Sequence, residues 1–528
     1  MNPAEANLKI FLSKLLGRDD GPGGLSDAEL QEWQARQTEI NEWWRWFTGE
    51  ALKEEDKTRP LKDGTFPLKY PLQMNPTALA ARLHAYALWG EVPDTSGPLV
   101  RTIVEPRFNE AGEADDAGRK LARQAELVLE QIEYENHTRA ADIDMGVSIQ
   151  ALGGVVLKVG WEPSNPLLPT GIRYEYFDPR YFHARWQGKN YWDLTEAWIK
   201  MPITKAQADG YGVQVTDDTV NYEEWWSRDE YWVRVDGQDA KDAEGKPIKG
   251  THDWGFCPML YNPHERTANF WGNSLVPSAI GQIKELNARE ADVGDAISFG
   301  VHSLIWAKNI KNTPRMKTFE NGQPYIDAGR ATTSSDPEPD IKRLDSPKLP
   351  EGSQVFTNHL LQSIRITLMT PEIAYGLEEG SQRSGQTLYS RMWPLLAHVQ
   401  SERVNWSEAR SARAEMALKI LALRGRAGIT QAHLGLRKRQ IWSPMVPVDR
   451  QQLVDELVRL LQEKGISLEM MLERLGTVPD IQAELKRIKE QAEAASNLEA
   501  ASKPQPIMAT PDEIKLKGGH PPNAEARE

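Results

Sequence analysis

Apolar side chains recur at helical spacing through the middle of the chain. From Ser274 onward, Val276, Ile280, Ile283, Ala291, Gly294, Ile297, Val301 and Ile305 are separated by threes, fours or their sums, which holds one face of a 3.6-residue period. A helix unbroken from there to Trp306 would be about 50 Å long at 1.5 Å per residue. Phe356, Leu360, Ile364 and Leu368 repeat at helical spacing and predict a second helix that Pro371 stops. A loop follows, and then Leu388, Met392, Leu395, Val399 and Trp406 open a third and longer stripe. Helix, irregular insert, helix, loop and long helix is the plan of a stem that packs beside copies of itself, not of a compact enzyme.

The flanking segments carry their own signals. Residues 1–25 end in Gly21-Pro22-Gly23-Gly24 and predict a flexible N-terminus. Lys9 and Lys14 flank a short apolar patch without a cleavage site, so it reads as a frayed helix and not a signal peptide. Ser26 and Glu29 have capping-box spacing and start a helix toward Trp43-Trp44-Arg45-Trp46. Further helices are expected from Thr77 and over Asp116–Tyr134. Strand patterns then cover Val155–Trp161, Ile172–Phe177, Trp192–Lys200, Tyr231–Val235 and Phe256–Tyr261, with antiparallel pairing expected. After Trp442-Ser443-Pro444 the chain returns to helices, opened by Asp449 with Gln452, by Ser467 and by Asp480. The proline-rich stretch 502–528 is expected to be disordered.

The run Asn262-Pro263, Phe270-Trp271-Gly272-Asn273-Ser274, Ile280, Ile283 and Leu286-Asn287 resembles the start of the stem in tailed-bacteriophage (siphovirus-like) portal proteins. Ser384-Gly385-Gln386-Thr387-Leu388, with Pro394-Leu395 and the long helix, resembles the same family. The order of segments extends the resemblance over roughly residues 26–495. It implies an α+β, mostly helical portal fold. Residues 26–272 would form an α/β wing of helices and then antiparallel strands. Residues 273–306 and 351–370 would be two stem helices around a small clip at 307–350. A tunnel loop at 371–386, a long wing helix at 387–426 and a helical crown at 427–501 would complete it.

The resemblance also implies a role. Members form a homo-oligomeric ring, a dodecamer of twelve subunits in the virion, at one capsid vertex. Double-stranded DNA is packaged and ejected through the ring without sequence specificity. The other implied partners are the terminase, the head–tail adaptor, the major capsid protein and the scaffold. The chain would assemble in the host cytoplasm, have no membrane partner, no cofactor and no catalytic residue. The tunnel-loop candidates are Glu372, Tyr375, Glu378, Glu379, Arg383, Ser384 and Gln386. The polar stem candidates are Lys284, Glu285, Arg289, Glu290 and Asp295, with pairing between subunits as the competing role. The clip contacts are expected at Lys308, Lys311, Arg315 and Lys317, a basic patch that reads equally well as a solvated face.

Composition modifies this picture in few places. A length of 528 residues exceeds one hydrophobic core, and no apolar run approaches a membrane span. The net charge of −13 argues against tight duplex binding but suits a channel wall that repels phosphate. A ring of twelve such chains would carry a formal charge of about −156 before screening. Residues 403–439 hold nine Lys/Arg against two acids. They read as charges paired between subunits in preference to DNA contacts. Cys257 is the single cysteine, which excludes an intrachain disulfide and fits a reducing cytoplasm. Ten histidines lie scattered without His-x-x-x-His or His-Glu-x-x-His spacing, so no histidine-led zinc site is expected.

Three rival functions are tested by their chemistry. Gly380 to Thr387 has the spacing of a phosphate-binding loop, but Gln386 replaces the lysine that neutralises the phosphates, and no buried strand precedes it. That removes nucleotide binding and the packaging motor itself. The 18 tryptophans, with Glu223-Glu224-Trp225-Trp226, could suggest a carbohydrate-active enzyme. Adjacent residues in a strand point to opposite faces, so the two carboxylates cannot share a sugar. The tryptophans read better as large apolar fillers of interfaces. Another virion structural protein, an adaptor or tail component, remains the alternative.

Overall fold

A computed structural model describes residues 24–53, 73–90, 99–107, 115–187, 193–266, 269–301, 305–308, 316–318, 324–326, 340–343, 352–376, 385–445, 450–475 and 481–502. The chain is mixed α+β and divides into two compact units, the second beginning at Val448. The flexible N-terminus and the proline-rich tail expected from sequence lie outside the described residues, save the last residues before α1.

The first unit opens with α1 (Asp27–Thr48). Its capping box is formed as expected, with Ser26 Oγ accepting the Glu29 N–H and the Glu29 carboxylate accepting the Ser26 N–H at 2.8 Å. Then come α2 (Pro76–Trp89), β1 (Val100–Val104), α3 (Asp116–Glu135) and α4 (Thr138–Leu152). The strands β2 (Gly154–Trp161), β3 (Ile172–Phe177) and β4 (Phe182–Trp186) follow. Next are β5 (Leu194–Thr204), the short α5 (Lys205–Gly210), β6 (Thr219–Ser227) and β7 (Glu230–Val235). Two short strands, β8 (Gln238–Asp239) and β9 (Lys249–Thr251), precede β10 (Met259–Pro263). Pairing is antiparallel throughout, as the alternating pattern predicts. One sheet has the order β10–β2–β3, the larger one β4–β5–β6–β7–β8 with β9 on β7.

The helix from Ser274 to Trp306 that periodicity suggests is shorter in the structure. Pro277–Ala279 forms a 3-10 turn, and α6 runs over Ile280–Val301. Its 22 residues span about 33 Å. Ile305 and Trp306 belong instead to β11 (Ile305–Lys308), a β-branched and aromatic pair that finds Arg343 and Lys342 across the ladder. Between the helices lie also β12 (Met316–Thr318), β13 (Pro324–Ile326) and β14 (Asp340–Arg343), pairing β11 with β14 and β12 with β13. α7 (Gly352–Thr367) and the 40-residue α8 (Gly385–Arg424) follow, with Pro394 inside the latter. β15 (Lys438–Trp442) returns to pair with β1. The second unit holds α9 (Arg450–Gln462), α10 (Leu468–Leu475) and α11 (Ile481–Ser502). Asp449 and Asp480 fall outside its described residues.

The long helix α8 is the spine of the first unit. Its basic residues pair inside the subunit, which corrects the expectation of charges reserved for a neighbour. Arg410 donates to Asp142 at 2.6 Å and to Glu133 at 3.0 Å. Arg413 donates to Glu133 at 2.8 Å and to the Tyr176 hydroxyl at 2.7 Å. Both guanidinium side chains are 1% exposed. Arg424 grips Asp253, and Arg437 and Arg439 reach Glu105. Arg403 donates to the carbonyl of Leu88 and lies over the ring of Trp442. The tryptophans fill the interior of the chain itself: Trp89 meets Trp406 edge-on and stacks on Trp442, while Trp226 stacks on Trp254. Glu224 is buried on Lys158 at 2.5 Å, and Glu223 pairs with Lys200 at 2.5 Å. The two adjacent carboxylates are thus spent in separate ion pairs, as opposite strand faces require.

Burial alone would push the Glu133 carboxyl up, but Arg410 and Arg413 more than offset it and hold its pKa below the ordinary value. A carboxyl depressed in this way stabilises the fold above its unfolded pKa, about 4.3. That stability disappears as pH falls below that value and through the folded one. Denaturant unfolding of Glu133→Gln should therefore lose most of the stability difference from wild type at acid pH. At pH 7, Arg410→Met, which leaves buried Asp142 without a cation, should cost about 3–5 kcal/mol. Arg424→Ala, at the surface, should cost less than about 1 kcal/mol.

Candidate functional site at the root of the helical hairpin

The two helices flanking the β insert run antiparallel. Gln282 Nε2 donates to Ser363 Oγ at 3.1 Å. Near their roots Val276, Ala279, Ile283 and Leu286 pack with Ile364 and Leu368. Trp46 and Phe47 of α1 and Ala80 and Ala81 of α2 complete that core. Asn287, a residue of the sequence motif, accepts the Met74 N–H at 2.7 Å and returns an N–H to its carbonyl at 3.0 Å. Ser274, another, donates to the carbonyl of Ala151 at 2.7 Å and accepts the Val276 N–H. Gly272 lies so close to the Gly153 carbonyl that a Cβ would stand 2.2 Å from it. The motif thus fastens the first helix to the sheet body. Away from the root the apolar stripe is open: Ile297, Val355 and Phe356 are exposed.

The polar candidates on α6 divide. Arg289 bridges Glu285 at 2.7 Å and Asp292 at 2.9 Å along its own helix. Lys284 lies over the ring of Trp46 at 5.0 Å. Glu290 is half-buried, and the Asp295 side chain lies outside the described residues. After α7 a 3-10 turn, Glu372–Tyr375, ends at Gly376 in the left-handed conformation. Glu372 pairs with Arg365, whose guanidinium also faces the Tyr375 ring. The Tyr375 hydroxyl donates to Thr370 Oγ1 at 2.8 Å. Burial raises its pKa above that of a free phenol. Glu378, Glu379, Arg383 and Ser384 lie outside the described residues, as do Lys311 and Arg315. Gln386 lies on α8, Lys308 on β11 and Lys317 on β12, without described side chains.

Spacing argued against a histidine centre, yet the fold gathers three histidines at this root. His84 of α2, His264 after β10 and His398 of α8 converge on Glu402, one turn along α8 from His398. All four are buried. Burial raises the Glu402 carboxyl, but His264, His398 and His84 override it and hold the pKa well below the ordinary value. Burial depresses the His84 imidazole. It also acts on His264, where Glu402 more than compensates and leaves the pKa raised. Of this group only His398 and Glu402, four apart on one helix, could have been paired from sequence.

A body with a helical hairpin, a small β insert and one very long helix is the class of a structural subunit, and among the described residues Glu223 and Glu224 are held in separate ion pairs. Over residues 123–498 the chain matches the family model described as phage portal protein, SPP1 Gp6-like. That match covers most of the chain, and the chain belongs to this family of phage portal proteins. The family consists of structural, non-enzymatic proteins that form oligomeric rings in the virion capsid. No curated protein matches the chain. No helix among the described residues is long and apolar enough to cross a membrane.

The Arg365 contacts hold the turn where the loop leaves α7. Arg365→Ala should lower global stability by less than about 1 kcal/mol. Hydrogen exchange should nonetheless speed up at the amides of residues 372–376, because the turn loses its ion pair and its ring contact.

Proposed function

We propose that this chain builds a twelve-membered ring at one capsid vertex, through which double-stranded DNA is packaged and later ejected. The family match over residues 123–498 carries this reading. The exposed apolar residues Ile297, Val355 and Phe356 support it, because adjacent hairpins in a ring would cover them. The hairpin forms the channel wall, and the β insert meets the terminase during packaging and the head–tail adaptor afterwards. The body meets the major capsid protein and, during assembly, the scaffold.

The mechanism is geometric and electrostatic. Residues 371–386 form the loop that narrows the channel. Glu378 and Glu379 repel phosphate, while Arg383, Ser384 and Gln386 make brief contacts that exchange as the duplex slides. Glu372 and Tyr375 are tied to α7 and set where the loop begins. Glu285, Arg289, Glu290, Asp295 and Lys284 are the polar groups of the wall, and the pairing of Arg289 with Glu285 and Asp292 leaves little attraction for DNA there. Lys308, Lys311, Arg315 and Lys317 are the docking charges of the insert. Contacts are to the backbone and carry no base preference.

Negative-stain class averages of the purified protein should show closed rings with a central hole. A monomer at all concentrations, with and without scaffold, would count against the reading. Deleting residues 377–383 should leave the rings intact and reduce DNA packaged or retained per particle. Normal packaging by that deletion would remove the loop from the mechanism.

A further inference from the structure

The root of the hairpin contains an arrangement that neither the ring nor the channel requires. Four side chains from three separated segments aim ligand atoms at one buried point. His398 Nε2 stands 3.1 Å from Glu402 Oε1 and 3.3 Å from His264 Nε2. His264 Nε2 is 3.4 Å from the same oxygen, and His84 Nδ1 is 3.8 Å from it. The atoms of His84, His398 and Glu402 all lie within 4.8 Å of one another. Tetrahedral zinc with metal–nitrogen bonds of about 2.0–2.1 Å has ligand atoms about 3.3 Å apart. The three distances among His264, His398 and Glu402 bracket that edge, whereas His84 stands outside it at 3.8 Å from Glu402, and the set within 4.8 Å of one another that holds His84 leaves out His264.

The outer contacts orient these atoms as metal ligands require. His84 donates its Nε2 proton to the carbonyl of Leu368 at 2.9 Å, which leaves the Nδ1 lone pair facing inward. His264 donates its Nδ1 proton to the carbonyl of Asn273 at 2.8 Å, which leaves the Nε2 lone pair facing inward. Gln150 donates to Glu402 Oε2 at 2.7 Å and so presents Oε1 to the centre. Backbone-anchored imidazoles and a tethered carboxylate are the usual outer support of a metal ligand set. Without a cation the arrangement is poor. His84 Nδ1 and Glu402 Oε1 are both buried and make no hydrogen bond.

We propose that His84, His264, His398 and Glu402 form a structural zinc site that locks the hairpin to the body. Imidazole nitrogens with one carboxylate suit zinc among the divalent metals. His84, His264 and Glu402 are 1% exposed or less and His398 9%, so no position remains for substrate water, as in closed structural sites. The two backbone carbonyls in the outer shell explain the placement. Asn273 begins the segment leading into α6, and Leu368 follows the end of α7. One ion would thus fix both roots of the hairpin, together with α2 and α8.

The test uses the full-length protein expressed with zinc in the medium and desalted without chelator. Elemental analysis should find one zinc per chain. Cobalt exchanged into the protein should give the visible absorption bands of a tetrahedral site with nitrogen and oxygen ligands. A strong chelator should lower Tm by roughly 5–10 °C, reversibly on adding zinc. His398→Gln and Glu402→Gln should lose the metal and the chelator sensitivity while keeping the far-UV circular dichroism of the wild type. If either variant fails to fold, the cobalt spectrum and stoichiometry of the wild type decide the matter alone. Less than a tenth of a metal per chain with no cobalt band would overturn the proposal. Equal zinc content in wild type and both folded variants would do so too, because the metal would then be an adventitious ion only. Ring formation is scored on the same samples, so a missing metal and a missing ring are separate results.

Discussion

The interior of the first unit depends on the ion cluster around α8. Arg410 and Arg413 lie one turn apart on a helix that threads the body, and their charges are removed from water. Such burial is tolerable only when every charge is answered, and Glu133, Asp142 and Tyr176 supply that answer from α3, α4 and β3. Three elements between residues 116 and 177 are thereby held at a defined register to helix residues 237 to 280 positions further along the chain. The apolar core then packs around a spine whose position is already set. An apolar stripe alone could slide by a turn, whereas paired buried charges cannot without leaving one of them exposed to the core.

A second constraint operates where the hairpin leaves the body. Packing at that point is close: Gly272 nearly touches the Gly153 backbone, and Ser274 and Asn287 satisfy main-chain groups of α4 and of the segment before α2. The residues that gave the family resemblance are therefore fastening residues. They tie a projecting pair of helices to a rigid base, and this position also holds the three histidines and Glu402. Force on a projecting hairpin is transmitted to its roots, so the proposed passage of DNA through a ring would call for such a fixed base.

The charge of the chain acquires a different meaning once the structure is known. The basic stretch 403–439 looked like a surface available to another molecule. Most of its members are consumed by acids of the same chain, so the net charge of −13 is closer to what the surface presents. This suits the proposed role of guiding DNA without gripping it.

The sequence by itself determined the local elements whose signals are local. The capping box at Ser26 and Glu29, the helix beginning at Asp116 and the helix ended before Pro371 rest on contacts within a few residues, and the strands at 155–161 and 172–177 showed in their own β-branched and alternating patterns although their partners lie elsewhere. The order of segments also sufficed for the family. Only the tertiary structure decided the rest. The end of α6 at Val301 depends on β11 finding β14, a pairing some thirty residues away that periodicity cannot register. The pairing of the strand Thr219–Ser227 and the neutralisation of its Glu224 by Lys158 also belong to the tertiary structure, since both partners lie elsewhere in the chain. The partners of Arg410 and Arg413 were invisible because they lie 237 to 280 residues away along the chain. The convergence of His84 and His264 on His398 and Glu402 was equally hidden, since ligand geometry joins residues by distance in space and not by spacing along the chain.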